Sequence, residues 1–348
     1  MGGRTVPQSM WPGLQATRTR SPCAEHLFMV DWWSCGGGPR ELTCAPRGVD
    51  VSVDQAFDMV SIGHFARDVI VVDGNAYEAS GGGVYFGGMA ARALGLKVAV
   101  ATRLHPDDFG RLDEMRQAGI AVFAAAASET SGIENRYSSQ DMERRVCLPL
   151  GFAGPFEQRD IPTCATRIYV IASIIAGEVD LALLRWLARR APVALDIQGF
   201  VRVRTDGRLG YQPWPEMLEG LKCVTCLKVD RAEAEMLTGL SDLASAGRAL
   251  AELGPREVVL TESPGVTVLS DGQLFQAPFT PRSLSGRTGR GDTCFATYLG
   301  TRLNASARES TELAAAITTI KQERPGPWRG PLAEALALAA SRRRQEGP

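Results

Sequence analysis

From Asp58 onward the chain alternates short apolar runs with amphipathic segments, and this alternation limits its folds more than any other feature. Met59-Val60-Ser61-Ile62-Gly63 reads as a buried strand, as do Lys97 to Thr102, Ile120 to Phe123, Ile168 to Ala172, Val193 to Asp196, Val224 to Val229 and Val258 to Thr261. A helix is predicted from Gly81-Gly82-Gly83 through Leu94, stopped by Gly95, and a shorter one from Arg111 to Gln117. Further helices are predicted near 178–190, 231–239, 242–253, 293–303 and 307–321. Parallel strands covered on both faces need near-continuous apolar runs with helical crossovers between them. The expected fold class is therefore α/β, a doubly wound, mainly parallel sheet sandwiched by helices.

Two polar segments break the alternation, residues 66–80 and 131–150, and both look like strand pairs rather than crossovers. In the first, Val69 to Val72 ends at an Asp73-Gly74 turn. Residues 1–52 are different again. They mix Gly, Pro, Arg and Trp without a period, so a poorly ordered extension is expected there, a domain over 53–342, and a tail at 343–348.

The net charge of −1 makes no case for a nucleic-acid or membrane-surface partner. Ala118 to Ala127, an apolar run of about ten residues, is too short to span a bilayer. The eight cysteines show no disulfide spacing, and several lie inside apolar runs, which points to a reduced, cytoplasmic setting. Cys223 and Cys226 match C-x-x-C but have no second pair, so core packing is expected of them.

The chemistry concentrates at Thr288-Gly289-Arg290-Gly291-Asp292, which runs into the apolar-periodic segment that begins at Thr293. Gly289 and Gly291 let backbone N–H groups crowd one point, and the following helix adds its unpaired N–H groups and positive dipole end. That is an anion cradle, most often for phosphate. Asp292 reads two ways: a helix-capping acid, or the acceptor of a proton from a hydroxyl that attacks a bound phosphoryl group.

This element, followed by Phe295, resembles the C-terminal signature of the ribokinase (PfkB) family of carbohydrate kinases, and the resemblance extends from about Asp58 to Gly330. It implies an ATP-dependent kinase acting, with Mg²⁺, on a hydroxyl of a sugar, polyol or nucleoside. Asp292 would be the base and Gly289 to Gly291 the anion hole; Arg290, where the family often has Ala, either adds a cationic clamp on the phosphoryl group or points to solvent. The same resemblance turns the 66–80 and 131–150 segments into a small β lid over the substrate, of a kind often used to form homodimers. It places Asp68, Gly82 and Gly83 at the substrate.

Asp196 to Arg202 follows a buried strand, and Gln198 and Arg202 are candidates to reach substrate or phosphate. Asp230-Arg-Ala-Glu233 resembles the family's Asn-x-x-Glu motif, with Asp for Asn. Asp230 and Glu233 would hold Mg²⁺ through water, Lys228 would offset their charge, and a helix-capping pair is the plain alternative. Thr261 and Gly265 would border the nucleotide, with Pro278 to Arg287 on its adenine side.

The chain departs from the pattern at three places. Phe86 stands where the family has a sugar-binding Asn. Gly286 stands where many members have a K⁺-binding Asp, the other K⁺ ligands being carbonyls of a loop resembling Arg324-Pro325-Gly326-Pro327, so weak or absent K⁺ activation is expected. Asp230 is the third. They leave open a ribokinase-like binding or regulatory protein with impaired catalysis. No Gly-x-Gly-x-x-Gly follows the first strand, which counts against a nicotinamide-dependent dehydrogenase.

Overall fold

A computed structural model of the chain describes residues 56–139, 141–205 and 207–346. The extension expected over 1–52 lies outside them. The strands are β1 (Met59–Ile62), β2 (Ala66–Val72), β3 (Asn75–Gly81), β4 (Val98–Leu104), β5 (Ala121–Ala126), β6 (Gly132–Ser138), β7 (Asp141–Gly151) and β8 (Tyr169–Ile171). They continue with β9 (Val193–Asp196), β10 (Arg202–Thr205), β11 (Arg208–Tyr211), β12 (Cys226–Asp230), β13 (Glu257–Thr261), β14 (Gly265–Ser270) and β15 (Gln273–Pro278). The helices are α1 (Gly83–Ala93), α2 (Asp113–Gln117), α3 (Leu181–Ala188), α4 (Gln198–Val201) and α5 (Met217–Leu221). After them come α6 (Arg231–Thr238), α7 (Leu243–Ala251), α8 (Arg290–Arg302), α9 (Ala307–Gln322) and α10 (Leu332–Glu346).

Nine strands form one sheet in the order β15-β14-β13-β12-β9-β8-β1-β4-β5. All neighbouring pairs from β13 to β5 are parallel, and β14 and β15 add an antiparallel edge. Strand order runs outward from β1 in both directions, so the topological switch lies between β1 and β8. Open α/β sheets hold their ligands at the carboxyl ends of the strands at such a point. Gly63, just past β1, is pressed against the Ala172 carbonyl just past β8, where an added Cβ would lie 2.5 Å from that oxygen.

One apolar layer joins the sheet to α3, α5, α6 and α7 through Leu184, Leu221, Leu237, Leu250 and their neighbours. On the other side α1, α8, α9 and α10 pack together, with Ala90, Ile317, Ile320, Trp328 and Ala335 at their centre. Alanine at so many of these positions lets the helices approach closely.

The polar segments form a separate four-stranded sheet, β3-β2-β6-β7. Its first hairpin turns at Asp73 (φ 48°) and Gly74 (φ 86°), the two left-handed residues a tight hairpin requires. Two expectations need correction. Residues 343–346 are not a tail but the last turn of α10, whose apolar side docks on α9. The helix expected from Arg111 is split: a 3₁₀ stretch over Pro106–Leu112 precedes α2, because Pro106 and the Asp107/Asp108 pair start a tight turn earlier. Among the described residues no helix is long and apolar enough to cross a membrane.

Candidate active site

The amino ends of the longer helices divide into two kinds. Side chains cap α3 (Asp180), α6 (Asp230), α7 (Asp242) and α9 (Ser306), each accepting from a backbone N–H in the first turn. By contrast, α1 and α8 begin at Gly82 and Gly289 with no side-chain cap. These two ends converge. An added Cβ on Gly83 would lie 3.0 Å from Asp292 Oδ1, and one on Gly87 3.2 Å from the Ala296 methyl. Glycines therefore let the Asp292 carboxylate rest against the start of α1, beside two helix ends that have no side-chain cap and whose dipoles favour negative charge.

Gly289 is fixed twice over. It is left-handed (φ 81°), and an added Cβ would overlap the Phe86 ring at 2.3 Å. Phe86, noted in the sequence as a departure, thus packs its ring against the turn at Gly289. Gly291 is different: a Cβ there would meet only Lys228 Cε and Nζ, both at 3.5 Å.

Lys228 is buried and reaches Asp196 across the neighbouring strand, Nζ to Oδ2 2.9 Å. Burial disfavours its charge, but Asp196, then Glu233, Asp230 and Asp292, outweigh burial and push its pKa up. The ammonium thus sits between the Asp292 turn and the acids at the ends of β9 and β12. A small cavity (≈ 10 Å³) lined by Asp196, Asp292, Ser61, Gly83 and Phe295 has room for about one water.

Asp230 and Glu233 form a reciprocal cap: Asp230 Oδ1 accepts from Glu233 N (2.8 Å) and Glu233 Oε2 from Asp230 N (2.7 Å). This uses one oxygen of each carboxylate. Glu233 Oε1 stays buried without a hydrogen bond, and burial first, then Asp230 and Asp196, raise the Glu233 pKa to about 7 against the pull of Lys228. An orphaned carboxylate oxygen next to a second acid fits a hydrated Mg²⁺. No group of three or more His, Cys, Asp or Glu placed to hold a metal directly occurs among the described residues.

The remaining candidates separate. Asp68 lies on lid strand β2, buried, with Oδ1 accepting from Ile133 N (2.8 Å) and Oδ2 over Gly81, where an added Cβ would lie 2.2 Å away. It ties both lid hairpins together at the floor of the lid, next to Gly82. Gln198 opens α4, its N–H on Asp196 Oδ1 (3.1 Å), and its side chain accepts from Arg202. Those two are paired with each other. Thr261 stands beside Asp230 in the β12–β13 register, whereas Gly265 packs its Cα face on the Ala277 carbonyl of β15. Arg290 occupies the first turn of α8.

Two residues that the sequence did not single out reach the turn before α8. Tyr137 on β6 brings its hydroxyl to 3.3 Å from Thr288 Oγ1, joining lid to anion turn. Lys321, at the end of α9, donates to the carbonyls of Gly286 and Thr288. His64, given no role from sequence, is buried just past β1, its ring 2.7 Å from Ser131 Oγ and 2.8 Å from the Gly154 carbonyl, and its backbone N–H donates to Glu178.

The sheet order and the separate β lid make this a ribokinase-like fold. The chain belongs to the pfkB family of carbohydrate kinases, whose family model matches residues 56–331. It resembles a pyrophosphate-dependent kinase of the ribokinase family solved as a sulfate complex, with 36% identity, TM-score 0.75, 80% of this chain and 99% of that one covered. A pyrophosphate-dependent kinase complexed with a pyrophosphate analog and myo-inositol gives 35% identity, TM-score 0.74 and coverage of 80% and 99%. Arabidopsis thaliana ribokinase with ribose and ATP shares the fold at 19% identity and TM-score 0.63, covering 82% and 99%. Among curated proteins none matches the chain.

Proposed function

We propose that the protein transfers a phosphoryl group to a hydroxyl of a polyol or sugar, with an inositol as the first acceptor to test and pyrophosphate as the donor. The observation that carries this reading is the Asp292 carboxylate at the open amino end of α8, against Gly83 and within electrostatic reach of Lys228. In the reaction Asp292 accepts the hydroxyl proton as the oxygen attacks. The backbone N–H groups from Gly289 to Gly291 and the α8 dipole hold the charge that develops on the transferring group. Arg290 adds a cation at the same turn. Lys228 holds Asp196 and keeps positive charge beside Gly291. Asp230 and Glu233 would hold Mg²⁺ through water, and the ion would screen the donor's phosphates. Asp68, with Gly82 and Gly83, would meet the acceptor under the lid, with Gln198 and Arg202 at its border.

The segment expected to line an adenine is held against the end of α9. Arg282 straps it down, its backbone N–H (2.9 Å) and guanidinium both on the Glu323 carboxylate, with Nη2 at 2.6 Å. Ser285 Oγ donates to the Glu323 carbonyl (2.8 Å) and Gly286 N to that of Gln322 (2.8 Å). The likeness to two pyrophosphate-dependent kinases at 36% and 35% identity supports the same donor. Phosphate release from pyrophosphate, and ADP release from ATP, should be measured with myo-inositol, ribose and nucleosides. Turnover of myo-inositol with pyrophosphate at least about tenfold above ATP, a 1.4 kcal/mol preference, is expected. A preference for ATP restores the nucleotide role of Thr261 and Gly265. Ligand binding without turnover on any pair identifies a binding protein.

The described cysteines, Cys147, Cys164, Cys223, Cys226 and Cys294, are all free thiols, which supports a reducing, cytoplasmic setting. Exposed Tyr77, Val146 and Leu150 on the lid sheet support a homodimer through the lid, to be checked by sedimentation.

A further inference from the structure

Lys321 is almost fully buried, and among the described residues its ammonium meets no carboxylate at ion-pair distance. Its hydrogen bonds go to two backbone carbonyls, Gly286 and Thr288, and the Phe86 ring faces it with the ammonium 5.1 Å from the centroid. Burial lowers its pKa to about 8, and the charge of Asp292 works in the opposite direction. A methionine would fill the same space without the cost of desolvating a charge. Carbonyl oxygens and a ring face are instead the surroundings of a bound monovalent cation.

The surrounding backbone has closed onto this arrangement. An added Cβ on Gly286 would lie 1.8 Å from the Arg324 carbonyl oxygen and 2.6 Å from that of Lys321 itself, so no acidic side chain fits at that position. The carbonyls that Lys321 holds belong to the residues leading directly into Gly289. With those oxygens turned toward α9, the next peptide groups enter the first turn of α8, where Arg290 N bonds Arg287 O (3.1 Å) and Thr293 N bonds Gly289 O (3.0 Å).

We propose that the Lys321 ammonium acts as a tethered monovalent cation, a positioning group that holds the Gly286 and Thr288 carbonyls and so keeps the anion turn in its ligand-binding shape without a dissolved ion. This rests on the anion-hole reading of Gly289 to Gly291. The probe is pyrophosphate, its binding measured by calorimetry on the full chain in choline, Na⁺, K⁺ and NH₄⁺ chloride at equal ionic strength. Wild type should bind equally in all four. Lys321→Met should bind about tenfold to a hundredfold more weakly in choline, the size expected for losing hydrogen bonds from a charged group. K⁺ or NH₄⁺ should restore much of that loss by entering the vacated carbonyls, and melting curves should show the variant folded. Three results overturn the proposal: wild-type binding that rises many-fold with K⁺, Lys321→Met binding as tightly as wild type in choline, or a loss that no cation repairs. If Lys321→Met does not fold, the wild-type salt series alone decides. Wild type that binds neither pyrophosphate nor ATP in any salt defeats the anion-hole reading instead, and that outcome is separate from the other three.

Discussion

The two ends of α8 face two buried charge clusters built on opposite principles. At its carboxyl end Tyr298 and Arg302 reach Glu257, the first residue of β13. Glu257 accepts from Tyr298 Oη (2.5 Å), Ser270 Oγ (2.9 Å) and Arg302 Nε (2.9 Å). One acid meets one base and two hydroxyls there, and both carboxylate oxygens are used. At its amino end one central ammonium, Lys228, serves Asp196, Asp230, Glu233 and Asp292, and Glu233 Oε1 has no hydrogen bond at all. A saturated cluster has nothing left to offer a ligand, whereas an acid-rich cluster beside uncapped helix ends holds capacity for cations and protons. The difference follows the direction of the strands, since the open cluster lies at their carboxyl ends and the saturated one at the amino end of β13.

The largest effect is expected at the open end. Asp292→Asn keeps size and much of the hydrogen bonding but cannot take a proton, and general-base removal costs roughly 10²–10⁴ in rate, or about 3–5 kcal/mol. The loss should fall on kcat, with donor affinity unchanged or tighter and the melting temperature nearly constant. Near-normal kcat in a folded variant would leave Asp292 a helix acid only and remove the contrast between the two ends.

Glu257→Gln reverses the pattern. Glutamine keeps one acceptor oxygen but removes the charge opposite the half-buried Arg302, and it cannot accept from Tyr298, Ser270 and Arg302 as the two carboxylate oxygens do, at about 2–3 kcal/mol of stability. Turnover of the folded fraction should stay within about twofold of wild type. Urea unfolding combined with kcat measured well below the melting transition checks both. A large kcat loss without destabilisation would mean that the two clusters are coupled along the helix.

A third test uses protons. Burial holds the Glu233 carboxyl at about 7, against 4.5 as an unperturbed group. Between those values the folded state carries a proton that the unfolded chain has lost, so stability should fall as pH rises from 4.5 to about 7. Below 4.5 this contribution is fully present, and above about 7 it is gone. Glu233→Gln can still accept from Asp230 N, and it should flatten that slope. Unfolding free energies at pH 5, 6 and 7 decide the matter, and an unchanged slope would place the titration elsewhere.

How far the sequence disclosed this arrangement depends on whether the signal was local. The parallel strands were legible because burial on both faces forces apolar runs, and the turn before α8 because the left-handed backbone at Gly289 favours glycine. The Asp73-Gly74 hairpin was read from its turn residues. The same pair recurs at Asp271 (φ 48°) and Gly272 (φ 75°), where it turns β14 into β15, and was passed over. Helix α10 was missed because its buried face is mostly alanine, which barely registers as apolar. Asp68, Lys228 and Asp292 were proposed from their place in a motif. Lys321 and Tyr137 were not, since each acts through contacts 33 and 151 residues away in the chain. Phe86 could be seen only as a departure, for its partner Gly289 is distant in sequence and its fit is steric.

The smallest expected effect is at Gly291, and it separates the two glycines of the turn. Gly289→Ala forces a side chain into a left-handed conformation, about 1–2 kcal/mol, before the overlap with Phe86 is counted. The Phe86 ring is wedged between Tyr85 and the Lys321 ammonium and has little room to yield. Gly291 lies in the first turn of α8, and its added methyl would make ordinary contact with Lys228 at 3.5 Å. Alanine is a better helix former than glycine by up to about 1 kcal/mol, so Gly291→Ala should be as stable as wild type or slightly more so. Its cost should appear only where a donor approaches the backbone: a rise in the pyrophosphate KM of roughly two- to fivefold with kcat intact, the mark of lost ground-state binding. Paired melting curves and donor titrations of the two variants test this. Gly291→Ala with an unchanged KM would mean that the donor is held by Gly289 and the side chains alone, and the anion hole would then be one peptide narrower than the motif implies.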